Sequence, residues 1–228
     1  MRFLDFTCPT PEENLALDEQ LLHRAETENG PEVLRLWESP LRFVVLGLSC
    51  KAEQEVHLTR CRDDGVPVLR RNSGGGTVLQ GPGCVSYALI LSKDRDPALE
   101  GIRSTNAYVL ERIADALRDT VPGVCYRGIS DLCVGRRKIS GNAQRRRKDW
   151  ILFHGTLLYA MDFHWVERYL HMPPRQPEYR ADRGHTEFLA NLPVDGDEIR
   201  FRLRRAWAAE DEDRGVLITG SSAVERPR

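Results

Sequence analysis

Long apolar runs are missing from this chain, lysine is scarce, and the charges of the two signs nearly cancel. No stretch approaches the roughly 20 apolar residues that a membrane span needs. The opening residues, Met1 to Leu15, carry neither the basic cluster nor the apolar core of a secretion signal. Its 33 basic and 34 acidic residues leave a formal charge of −1 across 228 residues, which argues against a general nucleic-acid coat. Six cysteines (Cys8, Cys50, Cys61, Cys84, Cys125 and Cys133) include no CxxC spacing, and no histidine accompanies them at zinc-site distances. A chain this long can build its core without disulfide staples. The expectation is a soluble, cytoplasmic protein with free thiols that binds neither membrane nor nucleic acid. Lysine is scarce: only Lys51, Lys93, Lys138 and Lys148 stand among many arginines.

What is present reads as one domain without internal repeats. Thr10-Pro11-Glu12-Glu13 is a helix start in which Thr10 caps and Glu13 completes a capping box, so the spacing of Leu15, Leu22 and Ala25 predicts a helix over 11–27. Short apolar runs at 33–37 and 43–48, split by Ser39-Pro40, read as strands. Residues 53–64 read as a helix ending at Gly65, then 67–71, 77–79 and 85–91 as strands around a glycine-rich turn. The spacing of Ile102, Val109, Ile113 and Ala116 predicts a helix over 102–119, stopped by Pro122-Gly123. Strand character returns over 131–160, helices are predicted at 163–170 and 195–212, and a short strand and a loose tail over the last dozen residues. Strands interrupted by helices without βαβ alternation imply an α+β fold with a mainly antiparallel central sheet flanked by helices.

Two clusters carry chemistry. In Arg70-Arg71-Asn72-Ser73-Gly74-Gly75-Gly76-Thr77, three glycines let backbone approach a ligand, and two arginines offer forked donors. No GK[ST] follows and strand rather than helix comes next, so this is neither a P-loop nor a dinucleotide fingerprint. The second cluster runs from Asp131 to Gln144 and includes Gly135-Arg136-Arg137-Lys138-Ile139-Ser140-Gly141-Asn142. A lysine among arginines suits a place where a compact ammonium must bridge a carbonyl and a phosphate oxygen.

Together with His154-Gly155-Thr156-Leu157-Leu158, these clusters resemble three signatures of the lipoate-protein ligase A type, within the biotin/lipoate ligase and octanoyltransferase superfamily. The resemblance runs from the first helix to about Leu192. It implies a catalytic domain in which lipoate (or octanoate) and MgATP give an acyl-adenylate. A lysine of a lipoyl carrier domain, such as a 2-oxoacid dehydrogenase E2 or a glycine-cleavage H protein, then takes the acyl group. Lys138 would neutralise the α-phosphate and polarise the acyl carbonyl. Arg71, Ser73, Gly74, Gly75 and Gly76 would line the acyl end. Asp131, Lys138, Ser140, Gly141 and Asn142 would face the nucleotide, Asp131 holding Mg²⁺. His154 reads as a buried structural histidine.

Other features depart from the ligases. Where these usually carry His-Asp and Gly-Asn after the glycine turn, the chain has Gln80-Gly81-Pro82-Gly83-Cys84, which is similar to the turn of octanoyl-carrier transferases. One transferase type places its nucleophilic cysteine after the lysine, where this chain has none. A second type places it a dozen or more residues before, and Cys125 stands thirteen before Lys138. An ATP-independent transferase using Cys125 is therefore one alternative, and a non-catalytic homologue that binds an acyl carrier is another. The glycine- and arginine-rich loop of biotin ligases is absent. Only about 36 residues follow Leu192, so the accessory domain of longer ligases is expected to be absent and a separate accessory subunit could serve. Seven cations between Arg136 and Lys148 read as a basic rim that steers an acidic carrier domain.

Overall fold

The computed structural model describes residues 1–211, and the predicted short strand and tail over the last dozen residues lie outside them. Strands and helices follow in the order β1 (Arg2–Asp5), α1 (Pro11–Glu28), β2 (Val33–Trp37), β3 (Phe43–Leu46), α2 (Ala52–Glu55), α3 (Leu58–Asp63), β4 (Val68–Arg70), β5 (Val78–Gln80) and β6 (Cys84–Ser92). The chain continues through α4 (Ile102–Arg118), β7 (Val124–Arg127), β8 (Asp131–Val134), β9 (Arg137–Arg146), β10 (Trp150–Leu158), α5 (Phe163–Tyr169), α6 (His185–Phe188), α7 (Gly196–Ala206) and β11 (Glu210–Asp211). Eight strands form one sheet in the order β11-β1-β2-β6-β10-β9-β8-β7, and β4-β3-β5 form a second. Every pair from β2 to β7 in the large sheet is antiparallel; β1 runs parallel to both its neighbours. The fold is α+β, with a large, mostly antiparallel sheet flanked by helices.

The central strands are apolar on both faces because both are covered. Ile151, Phe153 and Leu157 of β10 pack with Val109, Ile113 and Leu117 of α4 and Ile199 and Leu203 of α7. Between them, Trp150 and Leu152 point the other way and meet Leu22 and Ala25 of α1. Alternation in a strand buried on both sides is invisible as polarity but explicit as packing partner. Helix α1 starts as its sequence predicts: the Thr10 hydroxyl accepts from the Glu13 amide while the Glu13 carboxylate accepts from the Thr10 amide.

Strand β1 and helix α6 are not expected from the sequence, and three expected helices differ from their reading. The helix expected over 53–64 is two short helices, broken where Val56 pairs with Leu170 and His57 donates its amide to Tyr169. That break ties α2 and α3 to the chain after α5, which forms one wall of the site. The buried stripe of α4 is turned from the predicted one: Ile102 is exposed, while Thr105, Asn106, Leu110, Ala114 and Leu117 join Val109 and Ile113 inside. Helix α7 ends at Ala206, earlier than the predicted 212, with Ile199 and Leu203 buried and Phe201 exposed as an i, i+4 face requires.

Candidate active site

The glycine turn is built before anything binds it. Gly47 must be bare, because a Cβ there would stand 2.0 Å from the Gly75 carbonyl oxygen. Gly75 itself has φ +87°, a left-handed conformation that favours glycine. A Cβ on Gly74 or Gly76 would meet nothing within 4 Å, so these two present open backbone. Both arginines serve the turn. Arg70 Nη1 donates to the carbonyls of Gly47, Leu48 and Cys50. Arg71 Nη2 donates to Gly74 and Gly76, Nη1 to Val45, and Nε to the Ser73 hydroxyl. The forked donors that the sequence offers to an anion are thus taken by the protein's own oxygens. Burial lowers the Arg71 pKa to about 10, still leaving it charged at neutral pH.

Ser73 is buried, and its hydroxyl lies 2.6 Å from His154 Nε2 on β10. Burial, reinforced by Arg71, holds the His154 pKa down at about 3. The imidazole is therefore neutral, and Ser73, which already accepts from Arg71, donates to its Nε2 lone pair. A base this weak does not activate a serine at neutral pH; the pair is a strut from the turn to the central sheet. A cavity of about 250 Å³ opens between this strut and α1, lined by Leu15, Ala16, Leu69, Arg71, Leu152 and His154 among others.

Lys138 stands on β9, aimed by a bulge. Leu132 and Cys133 are adjacent on β8, yet they pair with Ser140 and Lys138, so Ile139 is an extra residue in β9. One extra residue reverses the side-chain alternation. Lys138 and Gly141, three apart, therefore share a face, and a Cβ on Gly141 would be 2.8 Å from Lys138 Nζ. The ammonium crosses over this bare position to reach Asp131 Oδ1 at 2.7 Å, Asp131 being the register partner of Gly141. Tyr179 donates its hydroxyl to Asp131 Oδ2 at 2.7 Å, and burial followed by the Asp131 charge raises the Tyr179 pKa far above the ordinary phenol.

The other face of β9 is closed. Asn142 Oδ1 accepts from Tyr87 and Ser140, and Nδ2 donates to the Ser130 carbonyl. Gly155, opposite Asn142, leaves room for that amide: a Cβ would lie 1.8 Å from Asn142 Oδ1.

A second cavity, of about 100 Å³, has Lys138 and Gly141 on one wall, and Thr77, Val78 and Leu79, which follow the glycine turn, on another. Glu55, His171, Arg180 and His185 add polar groups. Of the expected nucleotide residues, Lys138 and Gly141 reach this cavity, Asp131 stands behind Lys138, and Ser140 and Asn142 are buried and mutually hydrogen-bonded. Arg71 and Ser73 belong with the larger cavity and its strut. Neither cavity is lined by a cysteine. Cys125, on the edge strand β7, faces Cys133 on β8. All six thiols are free, and burial pushes the Cys84 pKa up to about 12.

Asp131 has both oxygens engaged, and no group of three or more His, Cys, Asp or Glu among the described residues is arranged to hold a metal ion. These donors do not fit a resident metal. The basic run also divides. Arg146 donates to the carbonyls of Leu99 and Glu100 and to Thr105 and Gln144, which makes it scaffold. Lys148 is exposed just beyond the end of β9, a strand that itself extends roughly 30 Å at about 3.4 Å per residue from Lys138's end. Sequence reasoning missed Tyr179, Arg180, Glu55, His171 and His185. The last four carry no motif, and Tyr179 and Arg180 lie in a segment with no periodicity to read.

The chain matches the lipoyl protein ligase A/B catalytic domain over residues 10–194. It belongs to that family. A protein of Aeropyrum pernix named lipoate-protein ligase A is 31% identical over 207 residues, covering 90% of this chain and 74% of that protein. The octanoyltransferase LipM of Carboxydothermus hydrogenoformans is 32% identical over 178 residues, covering 71% of this chain and 65% of its own length. Among solved structures, the bipartite lipoate protein ligase of Thermoplasma acidophilum, described with its E2 lipoyl domain, superposes with a TM-score of 0.77 at 23% identity over 92% of this chain and 86% of that one. A lipoate-protein ligase A bound with ATP gives 0.76 at 24%, covering 92% of this chain and 87% of that one. At these identities the two superpositions establish the fold.

Proposed function

We propose that this protein activates lipoate or octanoate with ATP and passes the acyl group to a lysine of a lipoyl carrier domain. One observation carries the reading: the Lys138 ammonium lies over bare Gly141 at a cavity whose facing wall continues from the glycine turn, and no cysteine lines that cavity. In the first step a lipoate carboxylate oxygen attacks the α-phosphorus of ATP, forming the acyl–phosphate bond and releasing pyrophosphate. In the second, the carrier lysine's neutral amine attacks the acyl carbon, AMP leaves, and the amine loses its proton. Charge builds on the phosphate oxygens in the first step and on the carbonyl oxygen in the second. A fixed ammonium beside both lowers each barrier. Magnesium would arrive on the nucleotide's phosphates. The Thermoplasma acidophilum relative supports an E2-type lipoyl domain as acceptor and a separate accessory subunit as a partner.

The second reading, ATP-independent transfer through a Cys125 thioester, draws on the Gln80–Cys84 turn and on the LipM relative. Incubation with lipoate, MgATP and a lipoyl domain should raise the domain's mass by one lipoyl group. Octanoyl carrier without ATP should leave it unchanged. Cys125→Ser should keep ATP-dependent turnover within about twofold of wild type, as expected for a residue outside the reaction. ATP-independent transfer that disappears in Cys125→Ser would replace the ligase reading with the transferase.

A further inference from the structure

Arg180 is a buried cation. It is 5% exposed, and no carboxylate forms an ion pair with it among the described residues. Its Nε donates to the Arg183 carbonyl at 3.0 Å; Nη2 lies 3.4 Å from Met172 Sδ and 3.4 Å from His185 Nδ1. The Phe188 ring sits 4.6 Å from the guanidinium carbon. These partners are one carbonyl and three weak or neutral groups, and Nη1 has none among the described residues. A guanidinium keeps its charge in such a place, and taking it out of water without an anion is costly.

Arg180 lines the same cavity as Lys138. Lys138 is paired with Asp131, and Glu55, whose Oε2 accepts from the Thr77 amide and hydroxyl, forms no ion pair with Arg180. Burial, followed by the Arg180 charge, lowers the His185 pKa and keeps that ring neutral. Among the described residues, Arg180 is thus the cavity's cation without a carboxylate in direct contact. A fatty-acid carboxylate places its charge on two oxygens in one plane. A phosphate spreads it over oxygens pointing in several directions, and so can meet a guanidinium and an ammonium from different walls.

We propose that Arg180 is a phosphate-binding residue, which holds one non-bridging oxygen of a nucleotide's phosphate while Lys138 holds another. The proposal rests on the adenylation reading above and adds to it the residue that retains the phosphate.

Calorimetric titration of the full chain with AMP, inorganic phosphate and octanoate tests it. Arg180→Gln should weaken AMP binding at least tenfold and leave octanoate within twofold, and Arg180→Lys should recover part of the AMP affinity. Unchanged AMP affinity in Arg180→Gln overturns the assignment and leaves the adenylation reading intact. An equal loss for octanoate also overturns it, since that marks a structural role. If wild type binds inorganic phosphate through Arg180 but not AMP, the phosphate site stands and adenylation falls. Binding of neither anion removes both. Should Arg180→Gln fail to fold, Arg180→Lys decides alone: a severalfold loss for AMP with octanoate unmoved supports the assignment, and equal affinities refute it.

Discussion

Arg35 and Arg180 are both buried, and their surroundings are opposite. Arg35 on β2 is fully enclosed, and every nitrogen of its guanidinium has a partner. Nη1 donates to Asp18 at 2.6 Å and to the Asn14 carbonyl, Nη2 to Asn14 Oδ1 and the Phe6 carbonyl, and Nε again to Phe6. The Trp37 ring lies alongside. This network fastens α1 and the chain after β1 onto the sheet, and nothing in it awaits a ligand. Arg180, by contrast, has a single carbonyl as a strong acceptor among the described residues. A saturated buried charge holds a fold together, and an unsaturated one beside a cavity marks where binding completes the structure. The same contrast separates the two faces of β9, where both polar atoms of the Asn142 amide are hydrogen-bonded inside and Lys138 opens onto the cavity.

The most direct attempt to break this comparison is Arg35→Ala. Removing the cation leaves Asp18 buried without its partner and Phe6 and Asn14 without donors, so unfolding stability should fall by about 3–5 kcal/mol. Urea denaturation followed by circular dichroism measures it. A loss under about 1 kcal/mol would mean that the Arg35 network holds little and that saturation is no guide to role.

Lys138→Ala probes the open side of the comparison. Acyl-adenylate formation, followed as lipoate-dependent pyrophosphate release, should drop by about 10²–10³-fold, the loss typical of a preorganised charge aimed at a transition state. The fold should survive, because the Lys138 side chain is partly exposed and Asp131 keeps its bond from Tyr179. Near-normal release would remove the ammonium from the chemistry.

The parts of the site that could be read in advance were those whose meaning is local. Three glycines in a row and a lone lysine among arginines are visible without a fold, and the α1 capping box is complete within four residues. The rest depended on register. Nothing along the chain reveals that Ile139 is the extra residue of a bulge, so neither the shared face of Lys138 and Gly141 nor the burial of Ser140 and Asn142 could be anticipated. The Ser73–His154 strut joins residues 81 apart. Tyr179 and Arg180 reach the site from an irregular segment held by long-range contacts, among them Tyr179 to Asp131, Arg183 to the Arg136 carbonyl and the pairing of Lys138 with Leu189. Arg71 shows the reverse failure: its type suggested an anion ligand, while the fold spends its donors on carbonyls.

The smallest expected effect sharpens the comparison at the strut itself. His154 is neutral in the fold, with a pKa of about 3, and titrates near 6.5 once unfolded. As pH falls below about 6.5 the unfolded chain takes up a proton that the folded one refuses, so stability is fully present above that pH and declines toward pH 3. The slope approaches 1.4 kcal/mol per unit, or about 2 kcal/mol between pH 6.5 and 5. His57 and His185 are also held below their ordinary values, chiefly by burial, and contribute with the same sign. The informative quantity is therefore the difference between wild type and His154→Gln, measured by urea unfolding across that range. The variant should be less stable at pH 7, having lost its close contact with Ser73, yet its stability should fall less steeply with acid. Parallel slopes would mean that His154 takes up its proton inside the fold, and the link from the glycine turn to β10 would then be a charged contact instead of a neutral strut.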